Sequence, residues 1–269
     1  MTTDRVVEMI EAYRAARRQL AFLDSNLRIG RPKVPEFGER FDLETLRQRM
    51  ARYDIQGGVV SSFAGADYGP EWGNAQLLDA LTGTGLWAGV ILTPEMFDPE
   101  AAGRAALADA IRRGARLARL FPKSYNFTLR LWCSGALLQA LADSRLPLVL
   151  WHTETSWDEI RGVCESHPDL PVVVEGTPQK ILYHTRVIYP LLERCPNLLL
   201  ELHFLVGYLG IEDLVRRFGA RRLVFGSYLP VFDPNAALMQ VTHARIPDAD
   251  KVWIAHRNLD ELITGVRPL

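Results

Sequence analysis

The sequence has few of the features that mark secreted or membrane proteins. It contains three cysteines, Cys133, Cys164 and Cys195, and their odd number and wide spacing form neither a CxxC pair nor a disulfide framework, as is typical of proteins of the reducing cytosol. It has no apolar run of the length needed to cross a bilayer, and Met1 to Leu20 is charged and helical in pattern, unlike a signal peptide. We therefore expect a cytoplasmic protein that does not bind membranes.

An excess of one sign of charge is also missing. Lysine and arginine together number 31 and aspartate and glutamate 32, and no run of basic residues marks a surface for a polyanion. Long-range attraction to nucleic acid is therefore not indicated. The pattern favours a small molecule as the partner.

What the sequence does contain is a regular alternation of short apolar segments with longer segments of helical periodicity. The short segments have the composition of buried parallel strands, and there are eight of them. They are Ala21 to Leu27, Gly57 to Ser62, Leu86 to Leu92, Leu117 to Phe121, Leu146 to His152, Pro171 to Glu175, Asn197 to His203 and Arg222 to Gly226. The predicted helices between them include Leu43 to Tyr53, Pro99 to Arg113, Ser134 to Ala142, Trp157 to Ser166, Ile181 to Arg194 and Ile211 to Phe218.

Eight such units close most simply into a (β/α)8 TIM barrel, an α/β fold that would occupy residues 1–269 as one domain. A doubly wound open sheet is the competing fold. Its dinucleotide-binding form is not indicated, because the first strand-to-helix turn, Arg28-Ile29-Gly30-Arg31-Pro32, is not a GxGxxG turn. An extra helix, Asp4 to Arg18, precedes the barrel and is expected to plug its bottom or to meet a second subunit.

Polar residues lie where the predicted strands end, and in a TIM barrel these ends carry the chemistry. They are Asp24, Asn26 and Arg28, Arg119 and Lys123, His152 and Glu154, Glu175, Glu201 and His203, and Ser227 and Tyr228. Alternate residues of a strand share a face, so three pairs are expected, namely Asn26 with Arg28, His152 with Glu154, and Glu201 with His203. Which face points into the barrel stays open. Trp151 should face away from His152, towards the helices.

Several segments, in order along the chain, resemble the amidohydrolase-related barrels, in the branch of the aminocarboxymuconate-semialdehyde decarboxylase-like enzymes. They are Phe22 to Gly30, Pro147 to His152, Pro196 to Glu201, Phe218 to Ser227, and Asn258 with Leu259. The resemblance spans roughly the whole barrel. It implies the fold and an enzyme that acts as a hydrolase or lyase.

The same resemblance exposes departures at the positions of the metal ligands. Asn26 and Arg28 stand where the family has an HxH pair, Gly176 stands about where a sixth-strand histidine is expected, and Tyr228 replaces the aspartate after Gly-Ser; of these ligands His152 remains. A guanidinium cannot coordinate a cation and would oppose one. The sequence therefore predicts no cofactor and the loss of the usual metal centre.

We expect the fixed charge of Arg28 to replace that of the metal. The residues expected to hold a small anionic substrate, through a carboxylate or phosphate, are Arg28, Arg119, Lys123 and His203. The residues expected to take part in catalysis are His152, Glu175, Glu201, Asn26 and Tyr228, the glutamates acting as acid and base with His152.

Alternatives stay open at this point. Arg28 and a glutamate could form a structural ion pair that fills the former metal cavity. One divalent metal could be held by a different set, His152, Glu175, Glu201 and His203. The chain could also be a catalytically inactive pseudoenzyme that binds a ligand. As protein partners we expect a second copy in a homodimer, or a paralogous barrel. His184, at the start of a predicted helix, is expected to be exposed.

Overall fold

The structure, a computed structural model, describes residues 3–33, 41–98, 102–176, 185–205 and 207–269. Eight parallel strands follow one another around a single sheet in chain order. They are β1 (Leu23–Ile29), β2 (Gly57–Ser62), β3 (Trp87–Ile91), β4 (Ala115–Leu120), β5 (Leu148–Trp151), β6 (Val172–Glu175), β7 (Leu198–Glu201) and β8 (Leu223–Val224). The backbone N–H of Ser25 donates to Phe225 O at 3.0 Å, and that of Arg28 donates to Leu229 O at 2.8 Å. These bonds bring the segment after β8 against β1, so the sheet forms a nearly closed barrel, and the predicted TIM barrel is confirmed.

Helices alternate with the strands, as the hydrophobic periodicity predicts. They are α1 (Thr3–Leu20), α2 (Leu43–Arg52), α3 (Phe63–Asp67), α4 (Pro70–Leu81), α5 (Gly103–Arg112), α6 (Leu131–Ser144), α7 (Trp157–Ser166), α8 (Thr185–Arg194), α9 (Gly210–Phe218), α10 (Asn235–Thr242), α11 (Asp248–Val252) and α12 (Asn258–Thr264). Residues 99–101 and 181–184 of two predicted helices lie outside the described residues. No helix in the described part of the chain has both the length and the apolar character that a membrane span requires.

The bottom of the barrel is closed by α12, and the alternative that the opening helix plugs it is wrong. Leu259 and Ile263 of α12 pack against the lowest interior residues of the strands, which are Val59, Leu117, Val149, Val173 and Val224. Helix α1 lies on the outside against α10, where Tyr13 Oη donates to Asn235 Oδ1 at 2.8 Å. The apolar plug at the bottom leaves the opposite end of the barrel for polar side chains.

A bulge in β1 shapes the first strand. Asp24 pairs with Gly58 and Leu27 with Val60, so β1 has one more residue than β2 over this stretch. Gly58 accommodates the bulge, because a Cβ there would lie 2.2 Å from the carbonyl oxygen of Asp24. Bulges re-aim the side chains that follow them. Here the residues after the bulge include Arg28, which is almost fully buried.

Candidate functional site

The polar site is the second interior layer of the barrel and follows from strand alternation. Residues two positions apart share a face, so each apolar residue of the bottom layer is followed by an inward-facing side chain nearer the mouth. The pairs are Val59 with Ser61, Leu117 with Arg119, Val149 with Trp151, Val173 with Glu175, and Leu199 with Glu201. The strands that form the core therefore also gather two glutamates and an arginine at one level.

Arg119 and Glu175 form the central ion pair of this layer. Arg119 Nη1 donates to Glu175 Oε1 in a close contact. The rest of the guanidinium is held by Ser61 Oγ at 3.0 Å, the Ser25 carbonyl at 3.0 Å and Asn26 Oδ1 at 3.3 Å. Both charged side chains are about 1% exposed. Arg119 thus has partners on all three nitrogens and neutralises Glu175 within the protein.

Arg28 enters the same layer but is bonded much less completely. Its Nε donates to Asn26 Oδ1 at 3.1 Å, while Nη2 lies 3.6 Å from Glu175 Oε1 and makes no hydrogen bond within the described residues. Burial, and secondarily the charge of Arg119, lowers the pKa of Arg28 to about 10, so the group remains a cation at neutral pH. A buried cation with an unfilled donor is suited to hold an anion.

Glu201 and His203 form a second charged pair at the end of β7. Glu201 Oε2 contacts His203 Nδ1 closely, and the backbone N–H of His203 donates to Glu201 Oε1 at 2.8 Å. The glutamate fits because residue 226 is glycine: a Cβ there would lie 2.2 Å from Glu201 Oε1. The Nε2 atom of His203 is buried and has no hydrogen-bond partner within the described residues.

Asn26 links the two pairs. Its Nδ2 donates to Glu175 Oε2 at 2.9 Å and lies 3.4 Å from His203 Nδ1, while its Oδ1 accepts from Arg28 and Arg119. This amide stands at one of the two positions of the family's HxH pair, where the sequence predicts that a metal ligand is missing. The structure therefore shows what occupies that place, namely a neutral connector between glutamate, histidine and two arginines.

Asp24 is a strand-end residue to which the sequence assigned no catalytic or binding role. It is fully buried, and its carboxylate accepts from the backbone N–H groups of Asn26 at 2.9 Å and Ser227 at 3.1 Å, and from the Ser227 hydroxyl in a close contact. Burial raises the pKa of Asp24 to about 6, despite the opposing effect of these hydrogen bonds. Its partner lies 203 residues away along the chain, so no local signal could have indicated the pairing.

Aromatic side chains cover the charged layer. Arg28 Cζ lies 5.3 Å from the Tyr228 ring centroid and 5.8 Å from that of Trp151, and Tyr228 stacks on His203 with centroids 5.3 Å apart. The expectation that Trp151 packs on the helices is wrong. Because β5 ends at Trp151 with Val149 in the barrel interior, Trp151 also points inward, and its Nε1 has no hydrogen-bond partner within the described residues.

Two residues of the predicted site lie apart from the converging groups. His152 follows the end of β5, where its Nδ1 lies 3.3 Å from the Glu175 carbonyl and its ring stacks on Trp157. Lys123 is exposed on the loop after β4, whereas Arg119 is buried. His184 lies outside the described residues. The convergence thus involves Asn26, Arg28, Arg119, Glu175, Glu201, His203 and Tyr228.

Among the described residues, one set of side chains has ligating atoms that all lie within 4.8 Å of one another, and it comprises Glu175, Glu201 and His203. Three protein ligands would suffice for a catalytic zinc. The carboxylate oxygens of Glu175, however, already accept from Arg119 and Asn26, and those of Glu201 accept from two nitrogens of His203. Two guanidinium groups next to Glu175 would also repel a divalent cation. This donor set does not fit a divalent metal.

Comparison with known proteins gives the family context of this site. The sequence model of the amidohydrolase family matches residues 33–258. No curated protein matches the sequence. Solved structures that share the fold include a putative 2-pyrone-4,6-dicarboxylic acid hydrolase from Pseudomonas putida, with 18% identity, a TM-score of 0.67, and coverage of 91% of this chain and 98% of that one.

Two further structures extend the comparison. A 2,6-dihydroxybenzoate decarboxylase from Rhizobium has 15% identity and a TM-score of 0.63, with coverage of 90% of this chain and 98% of that one. A putative amidohydrolase from Staphylococcus aureus has 12% identity and a TM-score of 0.69, with coverage of 90% and 99%. At these identities the structural likeness establishes the fold alone.

Proposed function

The chain belongs to the amidohydrolase family, and from this premise we propose that it is a hydrolase or decarboxylase of a small organic anion that works without a divalent metal. The observation that carries the proposal is the contrast between the two buried arginines. Arg119 neutralises Glu175 and is saturated by protein groups, whereas Arg28 Nη2 has no hydrogen bond to any of the residues that the structure describes. Arg28 is therefore the cation available to a substrate.

A carboxylate is the ligand that suits Arg28 best. The guanidinium presents parallel N–H donors that match the two oxygens of a carboxylate, and the buried surroundings strengthen the attraction. Trp151 Nε1, another buried donor without a partner within the described residues, belongs to a ring whose centroid is 5.8 Å from Arg28 Cζ. The Trp151 ring therefore covers the guanidinium that we propose holds the carboxylate. The family resemblance implies that a metal lies at this level in the usual enzymes. In this chain Arg28 supplies the positive charge instead.

Two of the structural neighbours support this substrate class. By their names, one is a putative hydrolase of a pyrone dicarboxylic acid and the other a decarboxylase of a dihydroxybenzoate, and both names specify a small carboxylate. A purely structural role for Arg28 is less well supported, because Arg119 already provides the close countercharge to Glu175 while Arg28 stays 3.6 Å away. No cofactor is part of the proposal.

The proposal is tested by a thermal-shift and turnover screen of small carboxylates, including 2,6-dihydroxybenzoate and 2-pyrone-4,6-dicarboxylate, on wild type and Arg28→Met. Ligand at 100 times its Kd stabilises the native state by about 2.7 kcal/mol, and each kcal/mol raises Tm by about 2–4 °C at this chain length. We expect at least one carboxylate to raise the wild-type Tm and the response to vanish in Arg28→Met while the variant stays folded.

A control variant removes a partly buried arginine that lies away from the site. Arg116 donates to the carbonyls of Ile111 and Ala115 on the outside of the barrel, so Arg116→Met should keep the carboxylate response. An unchanged response in Arg28→Met would contradict the binding role. Stoichiometric metal in protein purified without chelator, together with loss of turnover on chelation, would contradict the metal-free mechanism. Binding without turnover of any carboxylate would favour the pseudoenzyme instead.

A further inference from the structure

The proposed function leaves open which group moves protons at the site, and two histidines at strand ends are candidates. His152 has Nδ1 against a backbone carbonyl and its ring against Trp157. His203 has Nδ1 against the Glu201 carboxylate and its side chain is about 3% exposed. An imidazole paired with a buried carboxylate has the arrangement of a general base with its orienting acid.

The contacts of Glu201 determine which nitrogen of His203 carries the proton. The backbone N–H of His203 donates to Oε1 of Glu201, which leaves Oε2 facing the ring. An ionised carboxylate only accepts hydrogen bonds, so Nδ1 must be the protonated nitrogen. The Nε2 lone pair then remains, buried and without a hydrogen-bond partner within the described residues. A buried acceptor of this kind needs a partner, and a reacting molecule can supply it.

His203 lies beside the anion site through two shared neighbours. Asn26 Oδ1 accepts a hydrogen bond from Nε of Arg28 at 3.1 Å, and Asn26 Nδ2 lies 3.4 Å from His203 Nδ1. Tyr228 stacks on the His203 ring at 5.3 Å between centroids and lies 5.3 Å from Arg28 Cζ. The guanidinium of Arg28 and the imidazole of His203 therefore share two neighbours, Asn26 and Tyr228, which places both groups in one buried site.

We propose that His203 is the acid–base group of this site and that Glu201 is its positioning residue, an inference that rests on the proposed function. In a hydrolysis, Nε2 takes a proton from water as the water oxygen bonds to the substrate carbonyl carbon, and the carbonyl electron pair moves onto its oxygen. As the bond to the leaving group breaks, that pair returns and Nε2–H gives its proton to the leaving group. In a decarboxylation, the Nε2–H of the protonated imidazole gives its proton to the carbon that loses CO2, and the electrons of the broken C–C bond form the new C–H bond.

The tautomer gives a test that needs no known substrate. Nitrogen-15 NMR of histidine-labelled wild type, with His203 assigned from His203→Gln, should show protonated Nδ1 and unprotonated Nε2, and added benzoate should shift the Nε2 resonance. In Glu201→Gln the amide oxygen stays with the backbone N–H of His203, so the amide NH2 faces the ring and should reverse the tautomer. Wild-type His203 protonated at Nε2, or a Glu201→Gln tautomer that stays the same, would overturn the inference.

Turnover of the carboxylates in the screen gives the second arm. General acid–base groups contribute about 10²–10⁴-fold to a rate, so His203→Gln and Glu201→Gln should lower kcat by that order while the thermal response to the carboxylate persists. The control His243→Gln changes an exposed histidine at the end of α10 and should leave kcat unchanged. If His152→Gln abolishes turnover and His203→Gln does not, the inference fails.

The two proposals fail in different ways. If no carboxylate raises the Tm of the wild type, or if the response persists in Arg28→Met, the proposed anion site is contradicted. This conclusion does not depend on the results for His203. A carboxylate response that depends on Arg28, combined with full kcat in His203→Gln, leaves the anion site in place and removes the acid–base role. If no carboxylate is turned over, the tautomer of His203 and the benzoate-induced shift test the inference. A His203 Nε2 resonance that does not shift when benzoate raises the Tm would place the imidazole outside the site and contradict the inference.

Discussion

The carboxylate of Asp24 on β1 and the hydroxyl and backbone N–H of Ser227 after β8 join the two ends of the barrel sheet. Ser227 Oγ in turn accepts from the backbone N–H of Leu229 at 3.1 Å, and Leu229 O accepts from the backbone of Arg28. The segment that carries Tyr228 is thereby tied to the strand that carries Arg28. The closure of the barrel and the geometry of the site depend on the same contacts.

Asp24 should make stability depend on pH. Its pKa is about 6 in the folded state against an ordinary value of 3.8, so between these pH values the folded protein holds a proton that the unfolded chain releases. The free energy of unfolding therefore falls as pH rises from about 4 to about 6, by about 3 kcal/mol from this group, and is flat in this respect above pH 6.

Asp24→Asn should remove that slope, since an amide does not titrate and keeps one acceptor oxygen for the backbone N–H groups. Denaturant unfolding of both proteins across this pH range checks it. The control Asp109→Asn breaks an exposed pair with Arg112 and should keep the wild-type slope. Equal slopes in wild type and Asp24→Asn would show that Asp24 does not titrate in this window.

The ion pair of Arg119 and Glu175 should behave as a buried pair whose parts depend on each other. Arg119→Met leaves the Glu175 charge buried without its close cation and should cost about 3–5 kcal/mol of unfolding free energy. The double variant Arg119→Met/Glu175→Gln should recover much of that loss, because no unpaired charge remains. Denaturant titration of the two single variants and the double variant measures the coupling energy. Additive losses would indicate that Arg28 alone neutralises Glu175.

Much of this site was predictable because the strands alternate. The apolar runs before Arg119, Glu175 and Glu201 place these three residues on the same face as Leu117, Val173 and Leu199, and the structure has them there. The alternation of polar and apolar residues does not predict which side chains of β5 face the barrel interior. Its residues Leu148 to Trp151 are apolar at every position, so the inward direction of Trp151 appears only from the packing of Val149 in the barrel interior.

Contacts between distant parts of the chain explain the rest of what the sequence analysis missed. The position of Asp24 depends on Ser227, which lies 203 residues further along the chain. Helix α12 has a short apolar stripe, and its role as the plug appears only when Leu259 and Ile263 meet the strands. Asn258 is one of the residues that carry the family resemblance. Its Nδ2 donates to the carbonyls of Ala220 at 2.8 Å and Leu223 at 2.7 Å, and these bonds anchor α12.

Gly226 should be required for the placement of Glu201. In Gly226→Ala the new Cβ would lie 2.2 Å from Oε1 and 2.6 Å from Cδ of Glu201, so the carboxylate must move away from His203. We expect a loss of about 1–3 kcal/mol in unfolding free energy, typical of overpacking. The same variant should change the nitrogen-15 shifts of His203.

As a control, Gly162 in α7 has open space around a Cβ, and Gly162→Ala should be neutral or stabilise by about 0.5–1 kcal/mol. Wild-type stability and histidine shifts in Gly226→Ala would contradict the tight fit.

The three cysteines should differ sharply in reactivity. Burial raises the pKa of Cys164 and of Cys195, and both thiols are almost inaccessible, whereas Cys133 near the start of α6 is partly exposed. Because the thiolate is the reactive form, a chromogenic aromatic disulfide should modify one thiol of the native protein and all three in guanidinium chloride. Cys133→Ser should abolish the fast reaction and leave two thiols that react only after unfolding. Since modification of those two requires the packing of α7 and of the segment after α8 to open, their slow rate reports the stability of that side of the barrel. Rapid native modification of Cys133→Ser would contradict the burial of both.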